Sequence, residues 1–487
     1  MPSPSPRPCD AVRAVRADRA DRAVRVRSAG PAGSFAAALV LAAPILAASA
    51  VTAPATAAPE EAEPDLAALL AEAVDLPEAG ARAARAEELA ELEVPLDAWL
   101  GAMAAFEPRA GEALGPGHHT LRADLVVEGR VESTELHLVV PPTTGDAPRG
   151  PRPLLVALHG AGGSGAQEVA TWSGVAAELG ALLLAPTEVA DHLGYASTRR
   201  EAHSVLEAIR WVRRRYDIDE NRVWLTGFSR GGHLCWDLAL RHPGLFAAAA
   251  PMAGGPRLTL ANGANTLRLI ENLDGLPTLA MAGERDDPAL IWTLNRIAAL
   301  CERGEIADGR IEDVEVRLLP NTGHVFDARR REDWVAWFEA RVRDPWASRV
   351  VRLSAREGES RRAWVEITAF DRDVEETFEP RITVRKGQEL SQDEVRERVD
   401  ELARERTAEV VVERRDDGVV EVEGENAKEI VLRVPPEWID ANGRVTVRAG
   451  GTKKPRATPS AEVLLRAFVE SFDRTFLPVA EVTVKVR

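Results

Sequence analysis

Hydrophobic and polar positions divide the chain into four stretches with different periodicities. Residues 1–58 join an arginine-rich start to an uncharged, largely apolar run. Residues 59–117 space apolar positions three and four apart, as in "DLAALLAEAVDL", which predicts short helices. Between residues 118 and 345, continuous apolar runs such as "PLLVALHG" alternate with amphipathic stretches, whereas residues 346–487 contain mostly short strand-like pieces. These four stretches are the predicted segments of the chain.

The alternating stretch predicts the fold class. Continuous apolar strands that alternate with helices are typical of a parallel sheet covered by helices on both faces. We therefore expect an α/β protein with a mostly parallel sheet in residues 118–345, preceded by a short helical segment and followed by a β-rich accessory domain. In such sheets, reactive groups gather at the carboxyl ends of the strands.

The first 58 residues have the layout of a secretory signal: an Arg-rich region, the apolar core "FAAALVLAAPILAA" and small residues near Ala57. A membrane anchor is the competing interpretation. The core is shorter than the roughly 20 residues that a spanning helix needs, and it contains Pro44. We expect a signal peptide over residues 1–58, a secreted or periplasmic protein, and no stable membrane insertion after cleavage.

The C-terminal stretch predicts a separate β-rich domain, with a sandwich as one option. Strand-like pieces include "RRAWVEITAF", "PRITVRK", "AEVVVERR" and "EIVLRVP". Two helices interrupt them, and one begins with Ser391 and Glu394 at the spacing of a capping box. Trp364 is either a sugar-stacking residue or a core aromatic on a strand.

Composition and charge narrow the possible partners. The chain is 45% hydrophobic and 28% charged, with a formal charge of −16, so a soluble globular protein without a nucleic-acid partner is expected. After signal cleavage, Cys235 and Cys301 would remain. They could form a disulfide, or both could be small buried hydrophobic residues in helices.

The stretch "RVWLTGFSRGGHL" joins a predicted strand to a predicted helix through a serine between glycines. Gly227 to Gly231 fit the pattern G-x-S-x-G in the strand–turn–helix context that this pattern requires. Ser229 is therefore the candidate nucleophile. The alternative is an ordinary Gly-rich turn between a strand and a helix.

A second Gly-rich loop, "LHGAGGSG", follows an earlier strand. Backbone N–H groups in such a loop can point at a developing oxyanion, and we expect the amides of Ala161 and Arg230 to be the donors. His159 is interpreted as a structural residue that orients the loop. Taken alone, the loop could also be an ordinary strand-to-helix turn.

The remaining candidates lie downstream, at two later strand ends. Asp286 in "MAGERDDP" and His324 in "LPNTGHVF" follow Ser229 in the chain order of a hydrolase triad. A serine hydroxyl needs an imidazole to accept its proton, and a carboxylate orients that imidazole. Asp287 precedes Pro288, a pairing typical of a helix cap, which leaves Asp286 as the expected acid. This chemistry requires no metal or organic cofactor.

Together, "LLVALHGAGGSG", "YDIDENRVWLTGFSRGG", "MAGERD" and "NTGH" resemble the α/β-hydrolase superfamily. The resemblance covers residues 118–345 and is strongest to secreted esterases that include polyhydroxybutyrate depolymerases and feruloyl or acetylxylan esterases. It implies a triad of Ser229, Asp286 and His324, with the amides of Ala161 and Arg230 as oxyanion hole.

Two features depart from this group. Arg230 stands where such esterases usually carry an uncharged residue, and its cation could favour acidic or polar substrates or pair with a neighbouring carboxylate. The loop "EVADHLGYASTRREAH" lacks a pattern specific to one substrate class.

The expected function is an exported serine hydrolase that cleaves carboxylic esters through an acyl-enzyme on Ser229. Its substrate is an ester, and a polymeric one (a polysaccharide side-chain ester or a polyester) is an option. One alternative is a serine peptidase of the prolyl-oligopeptidase type, although such enzymes usually carry a large propeller that this sequence lacks before residue 118. The other alternative is a non-catalytic binding protein on the same fold.

Overall fold

The computed structural model describes residues 64–108, 113–142, 150–188, 195–303, 311, 313–325, 331–385 and 389–486. The predicted signal peptide lies outside the described residues, and so do His192 and most of the loop between residues 188 and 195. Glu63–Arg487 form one compact unit. In the part of the chain that is described, no helix has the length and apolar character needed to cross a membrane.

Helices and strands follow the predicted order closely. The described α-helices are α1 (Leu66–Asp75), α2 (Ala79–Ala90), α3 (Leu96–Ala104), α4 (Gly165–Glu178), α5 (Arg199–Arg213), α6 (Arg230–Arg241), α7 (Pro288–Arg303), α8 (Arg331–Glu339), α9 (Gln392–Arg404) and α10 (Ala461–Ser471). Strands of the first sheet are β1 (Gly117–Val127), β2 (Arg130–Val140), β3 (Arg152–Leu158), β4 (Leu182–Pro186), β5 (Ile218–Phe228), β6 (Ala248–Met252), β7 (Thr278–Gly283) and β8 (Val314–Leu319).

These eight strands form one mixed sheet in the order β1-β2-β4-β3-β5-β6-β7-β8. β1 and β2 pair antiparallel, β2 pairs antiparallel with β4, and the strands from β4 through β3 to β8 run parallel. The inner parallel strands are apolar throughout because both of their faces are covered. This arrangement confirms the predicted α/β fold class.

Alternate strand residues supply two separate cores. Leu154 and Val156 of β3 face a core that also contains Ile209 of α5, while Leu155 and Ala157 face the opposite core with Trp172 of α4. Helices α5, α6 and α7 therefore cover one face of the sheet, and α4 and α8 cover the other. This two-sided packing fixes the strand ends that carry the candidate site residues.

The predicted helical segment does not pack alone. The apolar residues of α1, α2 and α3 share a core with α10, whose Leu464, Leu465, Phe468 and Val469 are at most 1% exposed. Arg210 of α5 crosses this contact, donating to the carbonyl oxygens of Val74 and Glu470. Helices from the beginning and from near the end of the described chain thus form one four-helix cluster.

The C-terminal region contains the predicted β-rich structure. Its strands are β9 (Arg349–Ser354), β10 (Arg361–Arg362), β11 (Val365–Phe370), β12 (Ala408–Arg414), β13 (Val420–Glu425), β14 (Ala427–Val434), β15 (Val447–Arg448), β16 (Thr452–Lys453) and β17 (Ala480–Lys485). They form a four-stranded sheet, β10-β11-β14-β17, and a five-stranded sheet, β16-β15-β13-β12-β9. The two sheets enclose a common apolar core, as in a sandwich.

Two local predictions for this region are confirmed, and one is wrong. Ser391 and Glu394 form the expected capping box of α9. Trp364 is completely buried and donates its indole N–H to the Ala347 carbonyl, so it is a core residue rather than a sugar platform. The strand predicted for "PRITVRK" is wrong over residues 380–385, which pair with no neighbouring strand in the described chain and leave Val384 exposed.

Strand β9 belongs to both halves of the molecule. Val350 faces the C-terminal core, whereas Val351 and Leu353 lie in the core beneath the first sheet. The 3₁₀ segment Leu267–Leu273 packs against this strand, and the side chain of its Asn272 bonds both the N–H and the C=O of Leu353. The sequence shows no recognisable pattern for this junction.

Candidate active site

Ser229 occupies a strained turn between β5 and α6. Its backbone has φ 55° and ψ −118°, an uncommon conformation for a residue with a side chain. A Cβ on Gly227 would clash with the Gly231 carbonyl, and one on Gly231 would clash with the Leu158 carbonyl. The N–H of Ser229 donates to the Met252 carbonyl at 2.8 Å. The flanking glycines therefore let the chain turn sharply enough to project the Ser229 hydroxyl.

Three strand ends bring the candidate triad residues into direct contact. His324, beyond β8, has its Nε2 2.8 Å from Ser229 Oγ. Its Nδ1 lies 3.0 Å from both carboxylate oxygens of Asp286, beyond β7. With a proton on Nδ1, the imidazole donates to Asp286 and can accept from the Ser229 hydroxyl. The Asp286 side chain is 4% exposed and that of His324 is 47% exposed, so the imidazole stands between a buried acid and solvent.

The adjacent aspartates have different partners. Asp287 Oδ1 accepts the N–H groups of Ala289 at 2.8 Å and Leu290 at 3.2 Å, in the first turn of α7. Asp286 instead faces His324, and its Oδ1 also accepts the Asp287 N–H at 2.7 Å. The structure thus places the two carboxylates in the helix-cap and imidazole-contacting positions that the Asp-Pro pattern predicts.

The loop after β3 stands against the nucleophile. A Cβ on Gly160 would lie 3.3 Å from the Ser229 Cβ and 3.1 Å from the Phe228 ring, so only glycine fits without displacement. Ala161 follows in an exposed turn closed by the Gly163 N–H donating to the Gly160 carbonyl at 3.1 Å. Arg230 begins α6, and its amide therefore belongs to the positive end of that helix. Arg230 thus follows Ser229 directly in the chain, and Ala161 follows Gly160, the residue that stands against Ser229.

A cleft of about 440 Å³ adjoins this constellation. Its lining includes Tyr195, Arg230, His233, Arg257 and Leu258. His233 is one helical turn beyond Ser229 and contributes to this wall. Arg257 donates to the carbonyls of Ala196 and Ser197 at 2.8 and 2.6 Å. Sequence reasoning missed Arg257 because it lies in a loop after β6 that contains no recognised motif.

A larger cavity, of about 650 Å³, lies elsewhere and contains none of the candidate triad residues. It is lined by residues of α5 and of the C-terminal region, including Arg210, Arg362, Glu359 and Asp473. Its walls carry arginines and carboxylates in nearly equal number, so they favour neither anions nor cations. We assign it no part in the candidate chemistry.

The two described cysteines do not pair. Cys235 and Cys301 are free and buried, in α6 and α7 respectively. Burial raises the pKa of Cys301 to about 12 and raises that of Cys235 further. Both thiols stay protonated near neutral pH, which agrees with the interpretation as small buried hydrophobic residues.

A model of the dienelactone hydrolase family matches residues 186–368, which include Ser229, Asp286 and His324. The protein named "Putative esterase NocK" from Nocardia uniformis subsp. tsuyamanensis is 30% identical over 233 residues, covering 41% of this chain and 65% of that protein. A poly(3-hydroxybutyrate) depolymerase of Ralstonia pickettii is 31% identical over 186 residues, covering 32% of this chain and 37% of its own. The chain therefore spans less than two thirds of either relative.

Among solved structures, the acetyl xylan esterase from Aspergillus awamori matches 46% of this chain and 99% of its own, with 15% identity and a TM-score of 0.37. The assignment of the fold rests on the strand order and on the family match, and not on this structural similarity. They confirm the resemblance predicted from the motifs: this chain contains an α/β-hydrolase fold and is similar to serine esterases of that type.

Proposed function

We propose that this protein is an exported serine hydrolase that cleaves carboxylic esters through an acyl-enzyme on Ser229. The observation that carries the proposal is the continuous hydrogen-bonded series from Ser229 through His324 to Asp286. Similarity to an esterase and to a polyester depolymerase supports an ester substrate. Export rests on the pattern of residues 1–58 alone.

In the acylation step, His324 Nε2 takes the Ser229 proton while Oγ attacks the ester carbonyl carbon. The carbonyl oxygen becomes an oxyanion, to which the amides of Ala161 and Arg230 donate. When the intermediate collapses, the bond to the alcohol oxygen breaks and His324 returns its proton to that oxygen. Asp286 holds the imidazole in the required tautomer and stabilises its charged form.

Deacylation repeats these roles with water. His324 removes a proton from a water molecule, whose oxygen attacks the acyl carbon and forms a second tetrahedral intermediate. The Ser229 oxygen then leaves and receives the proton, and the acid product is released. The half-exposed His324 ring is well placed for this step because water can reach it directly.

The decisive experiment assays purified full-length protein on p-nitrophenyl esters and on aminoacyl p-nitroanilides, before and after treatment with a fluorophosphonate. We expect ester hydrolysis and covalent modification of Ser229 that abolishes it. Hydrolysis of the anilides in preference to the esters would favour the peptidase. Absence of both turnover and labelling would favour a binding protein.

For the natural substrate, we propose an ester carried on a polymer, either a polyester or an acylated polysaccharide. The polyester depolymerase relative supports this choice. Release of 3-hydroxybutyrate from polymer films, or of acetate or ferulate from substituted xylan, would identify which polymer is cleaved. Activity restricted to small soluble esters would contradict the polymeric assignment while leaving the hydrolase itself in place.

A further inference from the structure

An acid–imidazole pair is buried directly behind the loop that carries Ala161. His159 at the end of β3 and Glu188 beyond the end of β4 bring Nε2 and Oε2 to 2.8 Å, with side chains only 0% and 1% exposed. β3 and β4 are adjacent parallel strands. The pair therefore joins the two loops that leave the sheet side by side at its carboxyl edge.

Both nitrogens of the His159 ring and one of its faces contact neighbouring groups. Its Nδ1 lies 2.8 Å from the Gly160 carbonyl oxygen, and its Nε2 receives the backbone N–H of Glu188 at 3.1 Å. The ring packs on Tyr195, whose hydroxyl donates to the Pro186 carbonyl at 2.7 Å. Because each ring nitrogen has a defined partner, the imidazole has one orientation that satisfies all of these contacts.

The Glu188 carboxyl group adds a second contact at the ring nitrogen that the Glu188 backbone already holds. Nε2 must be an acceptor to receive the Glu188 N–H, so Nδ1 carries the ring proton and donates to the Gly160 carbonyl. Glu188 Oε2 lies 2.8 Å from the same Nε2, so the side chain of this residue holds the ring atom that its backbone N–H also contacts. Burial lowers the pKa of His159 and thereby favours the uncharged ring. Removing the carboxyl would leave Nε2 with the backbone contact alone.

The pair is connected to the candidate nucleophile through a single residue. Gly160 accepts from His159 on one side and stands against Ser229 and Phe228 on the other. The same Gly160 carbonyl closes the turn that presents Ala161, because it also accepts the Gly163 N–H. A rotation of the His159 ring would therefore displace the carbonyl that anchors this turn.

We propose that Glu188 is a positioning residue that, through His159 and Gly160, holds the Ala161 amide in place for the oxyanion. This inference rests on the proposed ester hydrolysis at Ser229.

The test compares Glu188→Ala, Glu188→Gln and a matched control, Glu168→Ala. Glu168 is another buried glutamate near Tyr195, but it bonds the Trp172 indole on α4 instead of the loop. Active sites are counted with a fluorophosphonate so that loss of folded protein does not alter kcat. The readouts are kcat and KM on p-nitrophenyl butyrate and the inhibition constant of a trifluoromethyl ketone, which forms an oxyanion on Ser229.

We expect Glu188→Ala to lower kcat by about 10- to 100-fold with KM changed less than about threefold, and to weaken the ketone by a similar factor. Glu188→Gln should recover kcat to within about fivefold, because it keeps a polar side chain of nearly the same size and shape beside Nε2. Glu168→Ala should leave kcat and ketone binding within about threefold of wild type. If Glu188→Ala is insoluble, Glu188→Asp, which withdraws the carboxyl by one methylene, should show the same losses.

Equal kcat and ketone affinity in the Glu188 and Glu168 alanine variants would overturn the inference, as would a loss confined to the thermal midpoint. Failure of the underlying function would look different. In that case, wild-type protein would neither hydrolyse the ester nor react with the fluorophosphonate, and the comparison of variants would have no wild-type rate to refer to.

Discussion

Two regions of this molecule are rich in charged and hydrogen-bonded groups, and they are built in opposite ways. Around Ser229, the backbone is strained, His324 is half exposed, and a cleft adjoins these two residues. Beneath the first sheet, where the C-terminal region packs on Leu267–Leu273, the charged side chains are buried and bonded. Arg268 is 2% exposed and Asp400 is 0% exposed.

The buried region shows how extensively its charges are satisfied. Arg268 donates to the carbonyls of Glu375, Glu376 and Ala403, and burial lowers its pKa to about 10. Arg404 of α9 pairs with Glu271 and also with Asp400. In the first region, the side chains that would react are accessible to solvent. In the second, the ion pairs and hydrogen bonds of buried charged side chains connect separate parts of the chain. Variants in the first should change turnover, and variants in the second should change stability.

The largest effect is expected from Ser229→Ala. Removing the nucleophile should lower kcat for p-nitrophenyl esters by at least about 10⁴-fold, since the remaining groups cannot form an acyl-enzyme. The thermal midpoint should stay within about 2 °C of wild type, because a methyl group replaces a hydroxymethyl without new contacts. Steady-state kinetics and calorimetry on the same preparation test both statements. Activity within tenfold of wild type would remove Ser229 from the mechanism.

Truncation after Pro345 tests whether the rest of the protein can fold without the C-terminal region. The sequence predicts an independent C-terminal domain, whereas the packing predicts that the remainder cannot stay folded. Truncation would expose the α1–α3 face that covers Leu464, Leu465 and Phe468, and it would remove β9 from the core under the first sheet. Exposing several large side chains at about 1.5–3 kcal/mol each approaches the whole stability of a typical protein.

We therefore expect the truncated chain to aggregate on expression, as measured by its soluble fraction and by size-exclusion chromatography. A soluble monomer that hydrolyses small esters at the wild-type rate would contradict this expectation. It would support the boundary predicted at residue 345, with the C-terminal region acting only on polymeric substrates.

The sequence predicts the candidate catalytic residues at the strand ends, but it does not predict the contacts between segments that are distant in the chain. Gly227, Ser229 and Gly231 are adjacent in the chain, so a local pattern can reveal the turn that they form. Glu188 and His159, like Val351 and the first core, meet only after distant segments have folded together. Nothing in "VVRLS" indicates that alternate side chains of β9 enter two different cores. The strand predicted at "PRITVRK" is wrong because an alternating pattern does not show whether a neighbouring strand is present to pair with it.

Arg268→Met isolates one buried charge of the second region. The variant removes the donor to the carbonyls of Glu375 and Glu376 and one of several donors to that of Ala403, which should lower the free energy of unfolding by about 3 kcal/mol. Because Arg268 makes none of the contacts of the candidate triad, kcat should remain within about twofold of wild type. Arg372→Met, at a side chain 88% exposed, provides the control. Equal urea midpoints for the two variants would show that the junction tolerates loss of the cation.

The buried carboxyl of Glu168 should make the free energy of unfolding depend on pH. Burial raises the pKa of this α4 carboxyl to about 7, above its ordinary value of 4.5. The folded state therefore holds a proton that the unfolded chain releases, and the free energy of unfolding should fall as pH rises from about 4.5 to about 7. Glu168→Gln cannot ionise, so it should be more stable than wild type by up to about 3 kcal/mol at pH 8, with little difference at pH 4.5.

Urea unfolding at the two pH values measures this difference, with Glu178→Gln at the exposed end of the same helix as the control. A constant difference between Glu168→Gln and wild type across the range would mean that the carboxyl ionises without cost in its buried site.

The smallest effect is expected at Asp287, where the two kinds of region lie one residue apart. Asp287→Ala removes the acceptor for the Ala289 and Leu290 N–H groups, which should cost about 1 kcal/mol of unfolding free energy and leave kcat within about threefold. Asp286→Asn should do the reverse, because it withdraws the charge from His324 Nδ1 while keeping most local packing, and turnover should fall by at least about 100-fold. Both variants are measured by urea unfolding and by kcat on the same ester. If Asp287→Ala lost turnover and Asp286→Asn lost only stability, the carboxylate that orients His324 in solution would be Asp287, and the loop between β7 and α7 would have to adopt a different conformation during catalysis.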